Sequence, residues 1–187
     1  MHPRLRLSLN KKWNRPLHTG AVFLYDRGKV RMIQMMLREA WPEERPLLYE
    51  WGHREWPKNR TLAQYIEDNQ KEEAYGTRFV LVADDGEVAA SLMLLKHRPH
   101  LYGLGSIVVA PAARGRGVGT QLLTECLQMH KEAAFMLYSE IGTPYYERFG
   151  FTALPDEYQR YPQGICMVKA HLQQREQIMQ EPIPDYF

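Results

Sequence analysis

Arg114, Gly115, Arg116, Gly117, Val118, Gly119 and Thr120 stand in one run, just after the apolar stretch Ile107, Val108, Val109 and Ala110 and a single Pro111. Two arginines interleaved with three glycines suit one kind of chemistry, the holding of a phosphate or pyrophosphate. Glycine lacks the Cβ that would keep an anion away from backbone N–H groups. A guanidinium pairs with phosphate oxygens through two parallel hydrogen bonds. The elements on either side supply the rest. Residues 107–110 are apolar and rich in β-branched side chains, as a strand covered on both faces is. Pro111 cannot donate to a sheet ladder and ends that strand. From Val118 an apolar stripe runs through Leu122, Cys126, Met129 and Ala133 at helical spacing. A helix therefore starts within residues 117–119. Its first N–H groups lack intrahelical partners and carry the positive end of the macrodipole, which makes residues 114–120 an anion cradle.

Spacing decides which phosphate ligand fits. A nucleotide P-loop needs a lysine and a Ser or Thr directly after its last glycine, whereas Gly119 is followed by Thr120 and Gln121. The dinucleotide fingerprint needs Gly-x-Gly-x-x-Gly, and the glycines here stand at 115, 117 and 119. Instead, Arg114-x-x-Gly117-x-Gly119 after the Val108-Val109-x-Pro111 strand end resembles the acyl-CoA-binding motif of the GNAT superfamily of N-acetyltransferases. Tyr146-Glu147-Arg148-Phe149-Gly150-Phe151 resembles a second signature of that superfamily and lies 29 residues beyond Gly117. The likeness is close over residues 76–154 and one of general layout before that.

The resemblance implies a single α/β (α+β) domain over residues 1–187. Its centre is a twisted, mixed, mostly antiparallel sheet of six to seven strands, with one splayed parallel pair and helices on both faces. It implies acetyl-CoA as cosubstrate and no metal, with the pyrophosphate on residues 114–120 and the pantetheine arm along Ile107, Val108 and Val109. Tyr146 matches the position that returns a proton to the departing thiolate, and its neighbour Tyr145 is close enough in sequence to exchange roles with it. A phenol of intrinsic pKa about 10 suits that task. Two positions depart from the family pattern. Ser139 stands where an asparagine commonly contacts the pantetheine arm, and Gly142 where alanine is usual. The strand before the loop offers Tyr102, Gly103, Gly105 and Ser106 but no carboxylate to serve as base. Glu140, His97, His100 or a water chain are left for that role, and none of them stands out.

The implied activity is transfer of an acetyl group to a primary amine of a small molecule or protein. A non-catalytic CoA-binding regulatory domain and a scaffold using the fold alone are the competing classes, since fold does not fix function. Composition agrees with a folded soluble domain: 44% of the 187 residues are apolar and 25% charged, with a net charge of +2. Residues 1–60 carry 13 Lys/Arg against 6 Asp/Glu. That is a solvated basic surface rather than a nucleic-acid site. Cys126 and Cys166 both lie in apolar surroundings and read as small core residues. No apolar run has the length of a signal peptide or membrane span, so neither a membrane nor secretion is expected and the cytoplasm is the expected compartment.

Taken in order, residues 4–9 alternate like an edge strand and 21–25 form a better one. Asp26 reads as a cap for a helix with Val30, Ile33, Leu37 and Ala40 on one face, widened by Met32, Met35 and Met36. Residues 41–60, dense in proline and containing Trp41, Trp51 and Trp56, read as a long loop; the resemblance implies that it lines the acceptor pocket, with packing over the sheet as the alternative. Thr61 caps a helix towards Glu73. The strands 78–83 and 88–95 are joined by Asp84-Asp85-Gly86-Glu87, a hairpin signal. Strands follow at 135–138, 151–153 and 164–171, with a short helix at 145–149 between the first two. Residues 1–19 and 172–187 read as peripheral extensions. The C-terminal one is either mobile or a cover for a partner subunit, as in a homodimer.

Overall fold

A computed structural model of the protein describes residues 18–26 and 29–185, with side chains from Gln34 onward. Chain order is β1 (His18–Asp26), β2 (Lys29–Glu39), α1 (Arg45–Glu55), α2 (Leu62–Glu72), β3 (Gly76–Ala83), β4 (Val88–Arg98) and β5 (Leu101–Val109). It continues through α3 (Val118–Met129), β6 (Ala134–Ser139), α4 (Pro144–Glu147), β7 (Thr152–Ala153), β8 (Ile165–Lys169) and α5 (Leu172–Gln180). The strands form one mixed sheet in the order β1-β2-β3-β4-β5-β6-β8-β7. Every neighbouring pair is antiparallel except β5 and β6. That is the expected sheet, with eight strands among the described residues rather than six or seven.

The additional strand is β2, where the apolar spacing predicts a helix. Val30, Ile33 and Leu37 fit a helical stripe, yet the buried Met35 and Leu37 also stand two apart, with the exposed Gln34 before them and the half-buried Met36 between, at the period of a strand. Pairing on both sides decides the matter: Leu37 sits opposite His18 of β1 and opposite Leu81 of β3. Asp26 caps nothing. It closes β1 opposite Lys29.

Residues 41–60 are mostly helix rather than loop. Pro46 falls in the first turn of α1, where no intrahelical N–H is lost. Leu48, Tyr49 and Gly52 then form its buried face. A Cβ at Gly52 would lie 2.1 Å from the Tyr65 hydroxyl, so the close approach of α1 to α2 requires glycine there. Ahead of α1, Arg38 and Glu44 form a buried bidentate pair (2.8 and 2.6 Å), and Glu44 also accepts from the Trp41 amide at 2.8 Å. The Arg38 guanidinium lies 3.7 Å over the Trp41 ring.

Strand alternation sorts the core onto two faces. Phe79, Leu81, Phe135 and Leu137 pack with Leu122, Leu123 and Cys126 of α3 and with Tyr146 and Phe151. Val80 and Val82 pack against Leu48 of α1. Met136, Cys166 and Val168 pack with Ile178 of α5 and Ile183 beyond it. Residues of the C-terminal segment thus pack into this chain's own second core. The Tyr138 hydroxyl donates to the Pro184 carbonyl at 2.6 Å, and Arg98 pairs with Glu181 at 3.0 Å. Both cysteines are free and buried, and burial pushes the Cys126 thiol up to about 12 and that of Cys166 to about 11. The strand expected at residues 4–9 lies outside the described residues.

Candidate active site

The site is built where two parallel strands part. β5 and β6 pair at Leu101–Ala134, Tyr102–Phe135 and Gly103–Met136, and the pairing ends there although both strands continue. On its other side β5 bulges against β4: Ser91 faces Val108 and Met93 faces Gly105, which leaves Ser106 and Ile107 opposite one residue. A bulge bends its strand and re-aims side chains. Ser106 takes a left-handed conformation (φ +46°) to make it. The gap opens into a cavity of about 220 Å³. Gly105, Ser106 and Ile107 of β5, Leu137 and Tyr138 of β6, Tyr146 of α4, and Trp56, Tyr65, Asn69 and Glu72 from the α1–α2 region line it. Both faces of the sheet thus contribute to one chamber, and the Trp-containing segment does reach it, through Trp56, Lys58 and Arg60.

At the C-terminal end of β5 the chain turns through a 3-10 turn, Pro111–Ala113, into the glycine run. Gly115 and Gly117 adopt φ of +71° and +80°, and a Cβ on either would meet nothing within 4 Å. Their glycines are demanded by conformation, and the space over them is free for a ligand. Gly117 is the left-handed N-cap of α3 and offers no capping side chain, so the first-turn N–H groups of Val118, Gly119 and Thr120 remain available to an anion. At Gly119 the requirement is room: a Cβ would stand 2.9 Å from the Tyr145 hydroxyl and 3.3 Å from Val109 Cγ2. Val108 is buried and Arg116 exposed. Arg114 is already engaged, its Nε donating to the Val109 carbonyl at 3.1 Å and its Nη2 lying 2.5 Å from Glu55 of α1.

Tyr146 and Tyr145 diverge. Tyr146 is 8% exposed, lines the cavity and packs edge-on against Phe151. Burial, with Tyr145 beside it, pushes its phenol up to about 12. Tyr145 points its hydroxyl at the start of α3 instead, under the Arg148 guanidinium at 4.7 Å. An exchange of roles has no geometric support. Ser139 lies at the end of β6, and its hydroxyl donates to the Gly142 carbonyl at 2.5 Å, closing the turn before α4. Its one donor is used there, and it does not line the cavity.

Of the three side chains open as bases, one is in place. Glu140 lines the cavity, 2.9 Å from Lys58. His97 sits beside Tyr75, with burial and then Arg98 pushing its imidazole down to about 4. His100 is exposed in the β4–β5 turn. Neither histidine lines the cavity. The sequence reading missed Glu72. It ends α2 on the same face as Tyr65 and Asn69, four and three residues apart, and that spacing was the signal available. Burial raises the Glu72 carboxyl above its ordinary value, against the lowering effect of Arg78 and Arg60. Among the described residues no group of three or more His, Cys, Asp or Glu could hold a metal ion, and no helix is long and apolar enough to cross a membrane.

No curated protein matches the chain in sequence. Among solved structures, an acyl-CoA N-acyltransferase from Pseudomonas aeruginosa is 23% identical with a TM-score of 0.57, covering 74% of this chain and 99% of that one. The GNAT family N-acetyltransferase YhbS from Escherichia coli, solved in complex with CoA, is 20% identical with a TM-score of 0.56, covering 73% and 81%. A chimera of the spermidine N-acetyltransferase SpeG from Vibrio cholerae and hSSAT is 14% identical with a TM-score of 0.58, covering 79% and 99%. At these identities the likeness is one of fold. The family model matches residues 34–151, a stretch that begins in β2 and holds the parting strands, the glycine run and Tyr146. The chain belongs to the acetyltransferase (GNAT) family.

Proposed function

We propose that the protein transfers an acetyl group from acetyl-CoA to a primary amine of a small molecule or protein, by direct attack in a ternary complex. One observation carries this reading: β5 lines the cavity at the parting strands through Leu104–Ile107 and leads, past Val109, into the glycine run at the start of α3, so a reaction chamber and an anion cradle lie along one strand. Acetyl-CoA supplies the activated acyl group. The N–H groups at the start of α3 and Arg116 hold its pyrophosphate, with Arg114 joining them by exchanging Glu55 for phosphate. The edge of β5 at Ile107, Val108 and Val109, beyond its pairing with β6, faces the arm that runs towards the cavity. Tyr146 keeps its proton across the neutral range and delivers it to the departing sulfur.

The test is thermal unfolding with acetyl-CoA, ATP or NAD, beside Arg114→Glu. A ligand at about 100 times its dissociation constant adds about 2.7 kcal/mol. For a chain of this length each kcal/mol moves the midpoint by roughly 2–4 °C. The expected result is a rise of roughly 5–11 °C with acetyl-CoA alone, lost in Arg114→Glu. The same midpoint with and without millimolar acetyl-CoA would end the acetyl-CoA reading.

A further inference from the structure

Four charged side chains line the cavity: Lys58, Arg60, Glu72 and Glu140. Lys58 pairs with Glu140 at 2.9 Å, and Arg60 pairs with Asp68 at 3.0 Å while also donating to the Trp56 carbonyl. Glu72 stands apart. Its Oε2 is enclosed and accepts no hydrogen bond, and among the described residues no cation pairs with it. The charged groups around it come from three places. Arg78 of β3 and Arg60 ahead of α2 favour its ionised form, while Asp68 of α2 and Glu73 just beyond it oppose it. Both arginines are committed elsewhere, Arg78 to Asn69 at 2.6 Å and to Glu73 at 3.5 Å.

An enclosed carboxylate oxygen without a donor is unfavourable unless something brings one. The group that answers it is an ammonium, which carries three N–H donors and the opposite charge. Around it, Trp56, Tyr65, Leu104, Ile107 and Ile141 offer apolar surface for an uncharged body. A carboxylate on the same ligand would meet two acids and only cations that already have partners.

We propose that Glu72 seats the acceptor's ammonium and takes its proton, so that the acceptor class is a small primary alkyl- or arylalkylamine without a carboxylate of its own. The proposal rests on the acetyltransferase reading of the same site. In the step, R–NH3+ and Glu72–COO⁻ become R–NH2 and Glu72–COOH. The N–H bonding pair stays on nitrogen as the attacking lone pair, and the proton later leaves to solvent through the cavity mouth. An alkylammonium holds its proton to a pKa of about 10.4. The raised Glu72 carboxyl narrows the gap it must cross, and the amine needs no prior deprotonation in bulk water.

The experiment compares wild type, Glu72→Gln and Glu72→Asp with phenethylamine and phenylalanine, which share a body and differ by one carboxylate. Wild type is expected to acetylate phenethylamine about 100-fold better in kcat/KM than phenylalanine. Glu72→Gln is expected to lose about 100-fold at pH 7, within the range for removing a general base. It then regains rate as pH rises to about 9.5 and free amine accumulates, whereas wild type gains much less over the same range. Glu72→Asp retains part of the rate. Without turnover, phenethylamine plus CoA is expected to raise the melting midpoint of wild type above that with CoA alone, and not that of Glu72→Gln. Acetyl-CoA stabilises both equally. Equal use of the two amines, an unchanged Glu72→Gln, or a loss of the same size at every pH overturns the proposal and leaves the acetyltransferase reading standing. A wild type that neither gains stability from acetyl-CoA nor acetylates an amine overturns both.

Discussion

Tyr146→Phe is expected to lower kcat by roughly 10²–10⁴-fold while leaving acetyl-CoA stabilisation nearly unchanged. The substitution removes a single oxygen and keeps the ring that packs against Tyr145 and Phe151. A merely structural tyrosine loses little in that exchange. The pH dependence separates the roles further. With its phenol pushed up to about 12, Tyr146 stays protonated through the neutral and mildly alkaline range, so its ionisation gives no fall in turnover there. Stability behaves differently. A tyrosine raised on folding stabilises fully below its unfolded pKa of about 10 and loses that contribution as pH climbs towards about 12. Tyr146→Phe should therefore flatten the alkaline limb of the stability curve. Release of CoA thiol, followed with time, measures the rate. Full turnover in the purified variant removes Tyr146 from the reaction. If wild type binds acetyl-CoA and acetylates nothing, the chain is a CoA-binding module instead.

Glu44→Ala should be the most damaging change away from the cavity. Glu44 and Arg38 are 6% and 4% exposed and bind each other through both arms of the guanidinium. Removing one member of such a pair leaves the other charge buried without its counter-ion, at about 3–5 kcal/mol. The Trp41 amide loses its acceptor in the same substitution. For this chain length the midpoint should drop by roughly 6–20 °C. The paired replacement Arg38→Met with Glu44→Leu should recover most of that, because an apolar pair of similar volume is often neutral or stabilising. Urea unfolding of wild type and the two variants checks both statements. A Glu44→Ala cost below about 1 kcal/mol would show that water reaches Arg38.

What was legible beforehand follows from the range of the interactions involved. The β3–β4 hairpin and the start of α3 are set by residues a few positions apart: Asp85-Gly86 makes the turn, and Gly117 takes the left-handed cap. Local chemistry of that kind can be read from the chain. The β2 segment could not, because its helical and strand patterns are equally good locally and the partner that settles it, Leu81, is 44 residues away from Leu37. Proline density concealed α1 for a similar reason. Pro46 is harmless only because it falls in the first turn, and the buried face of Leu48 and Gly52 is visible only against Val80 and Tyr65. In the site itself, the glycine run and Tyr146 announced themselves by type and spacing. Glu72 lay inside Lys71-Glu72-Glu73, which looks like any solvated helix end until α2 is laid against the sheet.

The contact between Arg114 and Glu55 bears on the order in which ligands arrive. Glu55 is the last residue of α1, and the next one, Trp56, is part of the chamber wall. On the proposed function, phosphate taking Arg114 would release Glu55 and, with it, the end of the helix that presents Trp56. Addition is then expected to be ordered, acetyl-CoA first and amine second, with CoA the last product to leave. Product inhibition by CoA would then be competitive against acetyl-CoA and noncompetitive against the amine, and Glu55→Gln would relax the order towards random.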